Sequence, residues 1–171
     1  MDSRAEEFKT LTLLLSNGDE SLSEDVALSE KNPDAYVKVH AEELKNRGIH
    51  EPIDGLPWIA LIDGLEKTGK LIELDWKESS KKFVEAILKL SAKEESAAQI
   101  RDSLTSIQIE DSAKVSENLE RINEALTPFD YNVIMIDIHA DCYPLTLIPF
   151  TSKASVTELA DLIETERIYG F

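Results

Sequence analysis

Over the first seventy residues, apolar positions recur every three or four residues, the spacing of helices with one buried face. Ala5, Phe8, Leu11 and Leu15 form such a stripe over residues 4–16, and Ser16-Asn17-Gly18-Asp19 ends it. Ser21 with Glu24 reads as a capping box that opens a short helix through Leu28. Asn32-Pro33 is the next start signal, with Asn as cap and Pro at the first helical position. Tyr36, His40 and Leu44 carry that helix to Gly48, its expected stop. Residues 49–57 read as a loop. Residues 57–67 read as a helix with Trp58, Leu61, Ile62 and Leu65 on one side.

The period then changes from 3.6 to 2. In residues 71–76, Ile72, Leu74 and Trp76 alternate with Leu71, Glu73 and Asp75, the pattern of a half-buried strand. Helical stripes return over 79–91, with Phe83, Ile87 and Leu90, and over 113–126, with Val115, Leu119, Ile122 and Leu126. Between them, residues 92–112 are polar and partly helical in character, and Ile107 and Ile109 suggest a short strand. Two apolar runs follow, Tyr131–His139 and Tyr143–Phe150, separated by a few residues around Ala140 and Asp141. That spacing is an antiparallel hairpin. Ser155 with Glu158 opens a final helix carrying Val156, Leu159, Ala160 and Ile163.

Strands do not alternate strictly with helices, which argues against a doubly wound parallel sheet. The predicted fold class is α+β, in a single globular domain over residues 1–171. It has a small, mainly antiparallel sheet of about three or four strands, with about seven helices packed on one face. There is no internal repeat and no low-complexity linker.

Composition changes this picture in one respect. The chain has 34 acidic and 18 basic side chains, a net charge of −16, with the excess in both halves. Such a charge repels phosphates, so no nucleic-acid and no anionic-membrane partner is expected. A basic protein partner or a cation fits it, and so does simple solubility. The lone Cys142 forms no internal disulfide, which suits a reducing cytosol. The N-terminal stretch has acids before its apolar run and no small-residue cleavage site, unlike a signal peptide. No run approaches the ~18 apolar residues of a membrane helix. The expected localisation is cytoplasmic.

Candidate chemistry gathers in Asp137-Ile138-His139-Ala140-Asp141-Cys142-Tyr143. Alternate residues of a strand share a face, so Asp137, His139 and Asp141 would stand opposite Ile134, Ile136 and Ile138. One explanation is the solvent face of a sheet packed on one side. The other is a site for a divalent metal such as Mn, Fe or Zn, the one cofactor the sequence suggests. If residues 71–76 join the hairpin in one sheet, Glu73 and Asp75 extend that face to five metal-capable side chains. Carboxylates that close would raise at least one pKa unless a cation sat among them. Cys142 and His139 are three residues apart and fall on opposite faces of a strand, so a Cys–His nucleophile is disfavoured. His40 and His50 have no nearby partner in sequence. Trp58, Trp76 and Tyr143 are candidate ligand-binding aromatics, with core packing as the competing role. No Gly-rich phosphate loop and no nucleophile elbow is present.

Two resemblances bear on these residues. Asp137–Asp141 resembles the D-x-H-x-D element of the arginase and agmatinase family, which implies manganese ligands at Asp137, His139 and Asp141. The second Asp-rich segment of that family, and its length, are missing here. Residues 57–79 and 136–149 together resemble a family of uncharacterised bacterial domains. The shared features are a W-x-x-L-I helix, an L-D-W-K-E strand end and a D-x-Y-P-L hairpin. That resemblance implies a bacterial cytoplasmic α+β protein and no activity. It marks Trp58, Asp75, Trp76, Lys77, Asp141, Tyr143 and Pro144.

The function expected from these observations is a non-enzymatic protein-interaction module. One version is an immunity- or antitoxin-like protein that blocks a basic nuclease by charge complementarity. A small-ligand binding module using Trp58, Trp76 and Tyr143 is one alternative. A metal-dependent hydrolase is the other. In it Asp137, His139 and Asp141 would hold the ion and Asp75 would act as base on a bound water.

Overall fold

The computed structural model describes residues 3–170, so Met1, Asp2 and Phe171 lie outside it. Five helices come first: α1 (Ser3–Ser16), α2 (Glu20–Lys31), α3 (Pro33–Val39), α4 (Ala41–Lys45) and α5 (Leu56–Lys67). Strand β1 (Leu71–Asp75) is followed by α6 (Ser80–Leu90), α7 (Ala97–Ser106) and α8 (Val115–Leu126). The hairpin β2 (Tyr131–Ile136) and β3 (Cys142–Pro149), helix α9 (Lys153–Ile163) and strand β4 (Ile168–Gly170) complete the described chain. The α+β class holds.

Local chemistry explains most boundaries. The Asn32 side chain accepts from Ala35 N at 3.2 Å, with Pro33 at the first helical position, as the sequence indicated. Asp19, not Ser21, caps α2, accepting from Leu22 N at 3.0 Å. A carboxylate two residues earlier takes the cap position and accepts from Leu22 N, and so the helix starts before the Ser21–Glu24 box. The helix expected to run from Pro33 to Gly48 is broken at His40 into α3 and α4. Its end is as expected. Ile49 N donates to Leu44 O across Gly48, whose φ of +73° is the left-handed stop of a helix. No strand forms at Ile107 and Ile109. That segment instead folds back onto α6, where Asp111 accepts from Ser80 N at 2.7 Å and Asn118 Nδ2 donates to Ser80 Oγ at 2.9 Å. Helix α9 begins at Lys153, ahead of the Ser155–Glu158 box.

The sheet has the order β1-β3-β2-β4 and is antiparallel throughout. Directly paired residues share a face. Leu71 pairs with Thr146 and Thr146 with Ile134, so one face carries Leu71, Ile134, Ile136, Ile148 and Ile168. These residues pack with α1, α2, α5 and α9 in one core around Phe8, Leu11, Trp58 and Leu61. The other face carries Leu74, Val133, Met135, Leu145 and Leu147. It packs against Phe83, Ile87, Ile100, Leu104, Leu119 and Ile122 of α6, α7 and α8.

Helices therefore cover both faces of the sheet, which corrects the expectation of one covered face. The stripes of α6–α8 require an apolar surface of their own, and the reverse face of the hairpin supplies it. The continuous run Val133-Ile134-Met135-Ile136 is what a strand covered on both faces looks like.

Trp58 is fully buried, in edge-to-face contact with Phe8 at 5.0 Å between centroids. Its indole N–H donates to Glu164 Oε2 at 3.1 Å, so burying the ring leaves no polar atom unsatisfied. Glu164 also pairs with the buried Arg167 at 2.7 Å. Arg167 in turn donates to the carbonyl of Asp137 at 3.1 Å and ties β4 to the tip of the hairpin. Helices α2 and α5 approach closely at Gly64. A Cβ there would sit 1.9 Å from Leu22 Cδ1.

Candidate functional site

At one end of the sheet, α4, α5, β1 and the β2–β3 loop surround a cleft of ≈ 650 Å³. Its walls carry Glu43, Asp63, Glu66, Glu73, Asp75 and Asp141, opposed by Arg47 and Lys67. Arg47 follows α4 in the turn that Gly48 closes, which points it toward α5 and β1. Its Nε donates to Asp63 at 2.8 Å and its Nη2 to the same oxygen at 2.5 Å. Nη1 and Nη2 also donate to the two carboxylate oxygens of Glu73 at 3.3 and 2.7 Å. One guanidinium thus bridges a helix and a strand in a two-pronged geometry that lysine does not reproduce. Burial pulls the Arg47 pKa down, but its hydrogen bonds to Glu73 and Asp63 outweigh this and raise it.

The surrounding groups feel the same field. Burial, then the Glu73 charge, pushes the Glu66 carboxyl above its ordinary range, and Arg47 only partly offsets this. Cys142 faces Asp75 across the strand pair, beside Glu73. Burial and then the Glu73 carboxylate push its thiol up to about 12. A thiol held neutral in this way is a poor nucleophile at neutral pH. Lys67 pairs with Glu43, which is held below its ordinary range first by that hydrogen bond.

The five metal-capable residues separate into two groups. Glu73, Asp75 and Asp141 line the cleft, and Asp137 and His139 do not. The register is the reason. Glu73 and Asp75 lie on the face of Ile134 and Ile136, not on the face of Met135. Strand β2 ends at Ile136, so Asp137, His139 and Asp141 sit in the connecting loop, not along a strand. Asp137 Oδ1 accepts from His139 N at 2.6 Å, closing a side-chain turn in which His139 takes a φ of +57°. Asp75 Oδ1 likewise accepts from Lys77 N at 2.8 Å. Glu73 is committed to Arg47. Among the described residues, no group of three or more His, Cys, Asp or Glu side chains is arranged to hold a metal ion. The donor set therefore does not fit the binuclear manganese centre that the D-x-H-x-D resemblance implies.

The three candidate aromatics are not brought together. Trp58 lies in one core. Tyr143 packs on Phe83 in the other, with centroids 5.6 Å apart. Trp76 stands 53 % exposed beyond the end of β1, with Lys77 Nζ 5.2 Å from its ring centroid.

Arg47, Asp63, Glu66, Lys67 and Glu43 are charged cleft residues that patterning missed. Asp63 carried a signal, as the one charged residue in the apolar stretch Leu56–Leu65. A carboxylate there needs a cation, and Arg47 supplies it.

Two layers of helices around a four-stranded antiparallel sheet, with an acidic cleft at one end, define an α+β domain. The chain belongs to the family described as Domain of unknown function (DUF6630), whose model matches residues 7–169. No curated protein and no solved structure gives a significant match. No helix among the described residues is long and apolar enough to cross a membrane.

Proposed function

We propose that this protein is an interaction module whose acidic cleft receives a cationic side chain of a basic protein partner. One observation carries the proposal: six carboxylates line a single cleft against two cations. Both cations are already engaged, Arg47 with Asp63 and Glu73, and Lys67 with Glu43. Glu66, Asp75 and Asp141 remain to attract an incoming charge. The Glu66 pKa is raised first by burial and then by the Glu73 charge, so part of its shift is like-charge repulsion. A guanidinium or ammonium entering there relieves the repulsion. The net charge of −16 would speed encounter with a basic surface. An immunity-like role against a basic nuclease is the finer form of this reading.

The test uses octalysine as the probe, titrated into the protein at low and physiological salt. Asp75→Lys and Asp141→Lys are expected to weaken binding about tenfold each, while Glu117→Lys on the exposed face of α8 changes it little. Equal losses at all three positions would assign the binding to diffuse charge and overturn the cleft.

A further inference from the structure

Helices α2, α3 and α5 surround a smaller pocket of ≈ 170 Å³ that shares Asp63 and Lys67 with the acidic cleft. Both shared residues are engaged, Asp63 with Arg47 and Lys67 with Glu43. Asp19 and Asp25 complete the acidic side of the pocket, and Leu22 and Ala60 give it an apolar side. Among the described residues, neither Asp19 nor Asp25 meets an arginine or a lysine.

Two further groups in this pocket lack a hydrogen-bond partner. The first is His40. Its Nδ1 lies 3.1 Å from Glu43 Oε2. A carboxylate only accepts, so Nδ1 carries the proton and Nε2 of the uncharged ring is left as an acceptor. That Nε2 is buried and unpartnered. The facing carboxylate of Asp25, at 3.7 Å, is another acceptor and is too far for a direct hydrogen bond. The second group is Tyr36. It is 4 % exposed, lines the pocket and stacks on the His40 ring with centroids 4.3 Å apart. Its hydroxyl makes no hydrogen bond to a described residue. Burial, then the charges of Asp63, Asp25 and Glu43, raise its pKa, which places the oxygen in a negative field. Among the described residues no group of three His, Cys, Asp or Glu side chains could hold a metal ion. A water would bring two donors and no charge. A primary ammonium brings three donors and the positive charge that Asp19 and Asp25 lack.

We propose that this pocket binds a small primary amine, its ammonium donating to Asp25, His40 Nε2 and the Tyr36 hydroxyl and its short stem lying on Leu22 and Ala60. The test adds propylammonium chloride to the full chain at constant ionic strength and follows the imidazole signals by NMR. The His40 signals, assigned by their loss in His40→Gln, are expected to shift and saturate, while those of His50 and His139 stay in place. Affinity is expected to fall about tenfold with Asp25→Asn and about fivefold with Tyr36→Phe. Tetramethylammonium has the charge and no N–H, so it should leave the His40 signals unmoved. The absence of a saturable shift would mean that water suffices and would overturn the proposal. An equal response to tetramethylammonium would assign the effect to diffuse charge and overturn it too. So would binding that is lost with Asp141→Lys and kept with Asp25→Asn, since that binding belongs to the cleft. The Asp25 side chain is half-exposed, so Asp25→Asn decides even if Tyr36→Phe does not fold.

Discussion

Arg47 grips Glu73 with two nitrogens, at 3.3 and 2.7 Å, while its Nε and Nη2 hold Asp63. Three side chains from three elements share one ion-pair network, each about four-fifths buried. Removing the cation leaves two carboxylates facing each other. Arg47→Leu is expected to cost about 2–3 kcal/mol in urea unfolding. Adding Asp63→Asn and Glu73→Gln should recover most of it, because the uncompensated charges then disappear. A triple variant no better than the single one would mean that Arg47 acts through packing alone.

The Cys142 thiol titrates far above its ordinary value of 9.0, at about 12, through burial and the Glu73 charge. The folded state therefore holds this proton more tightly than the unfolded chain. Its contribution to stability is complete below pH 9 and declines as pH rises toward 12. Cys142→Ala should flatten that part of the pH–stability curve. Alkylation of the native thiol at pH 8 should be slow and should quicken in Glu73→Gln, as mass spectrometry would show.

Glu164 behaves in the opposite sense. Its hydrogen bond from Arg167, then that from Trp58, holds its carboxyl below the ordinary 4.5. Its stabilising effect is present above pH 4.5 and is lost as pH falls below it. Glu164→Gln should lower stability by about 1–2 kcal/mol, since Arg167 stays buried without its countercharge. The fluorescence of Trp58 should report the same acid transition, and Glu164→Gln should remove it.

Gly64 is required by a neighbour. Gly64→Ala drives a methyl into Leu22, and a loss of about 1–2 kcal/mol is expected from overpacking. Leu22→Ala in the same chain should restore part of that loss, a coupling that a thermal-melt double-mutant cycle measures.

Much of this architecture is written locally. The Asn32-Pro33 start, the helical stripes of α1, α5, α6 and α8, and the hairpin all follow from spacing and capping within a dozen residues. What escaped depends on distance in the chain. Arg47 meets Glu73 only after α4, α5 and β1 have assembled, and no local pattern encodes that meeting. The two-sided covering of the sheet was visible in the unbroken run Val133–Ile136 but is masked by the alternation in β1. Strand β4 is three residues long and follows Glu166, whose φ is +62°, so its sequence offers little periodicity to detect. The Asp137–Asp141 acids look like a strand face only if β2 is extended past Ile136. Asp137 bends the chain by capping its own turn.

The sheet order also sets a timetable for folding. Its two central strands, β2 and β3, are neighbours in sequence and close over a five-residue loop. The flanking strand β1 comes from some seventy residues upstream, so its docking carries the larger loop-closure cost. The hairpin with α8, fastened by Asn123, is therefore the natural nucleus, and α1–α5 join it later. Substitutions such as Asn123→Ala should slow refolding, whereas Gly64→Ala should mainly speed unfolding.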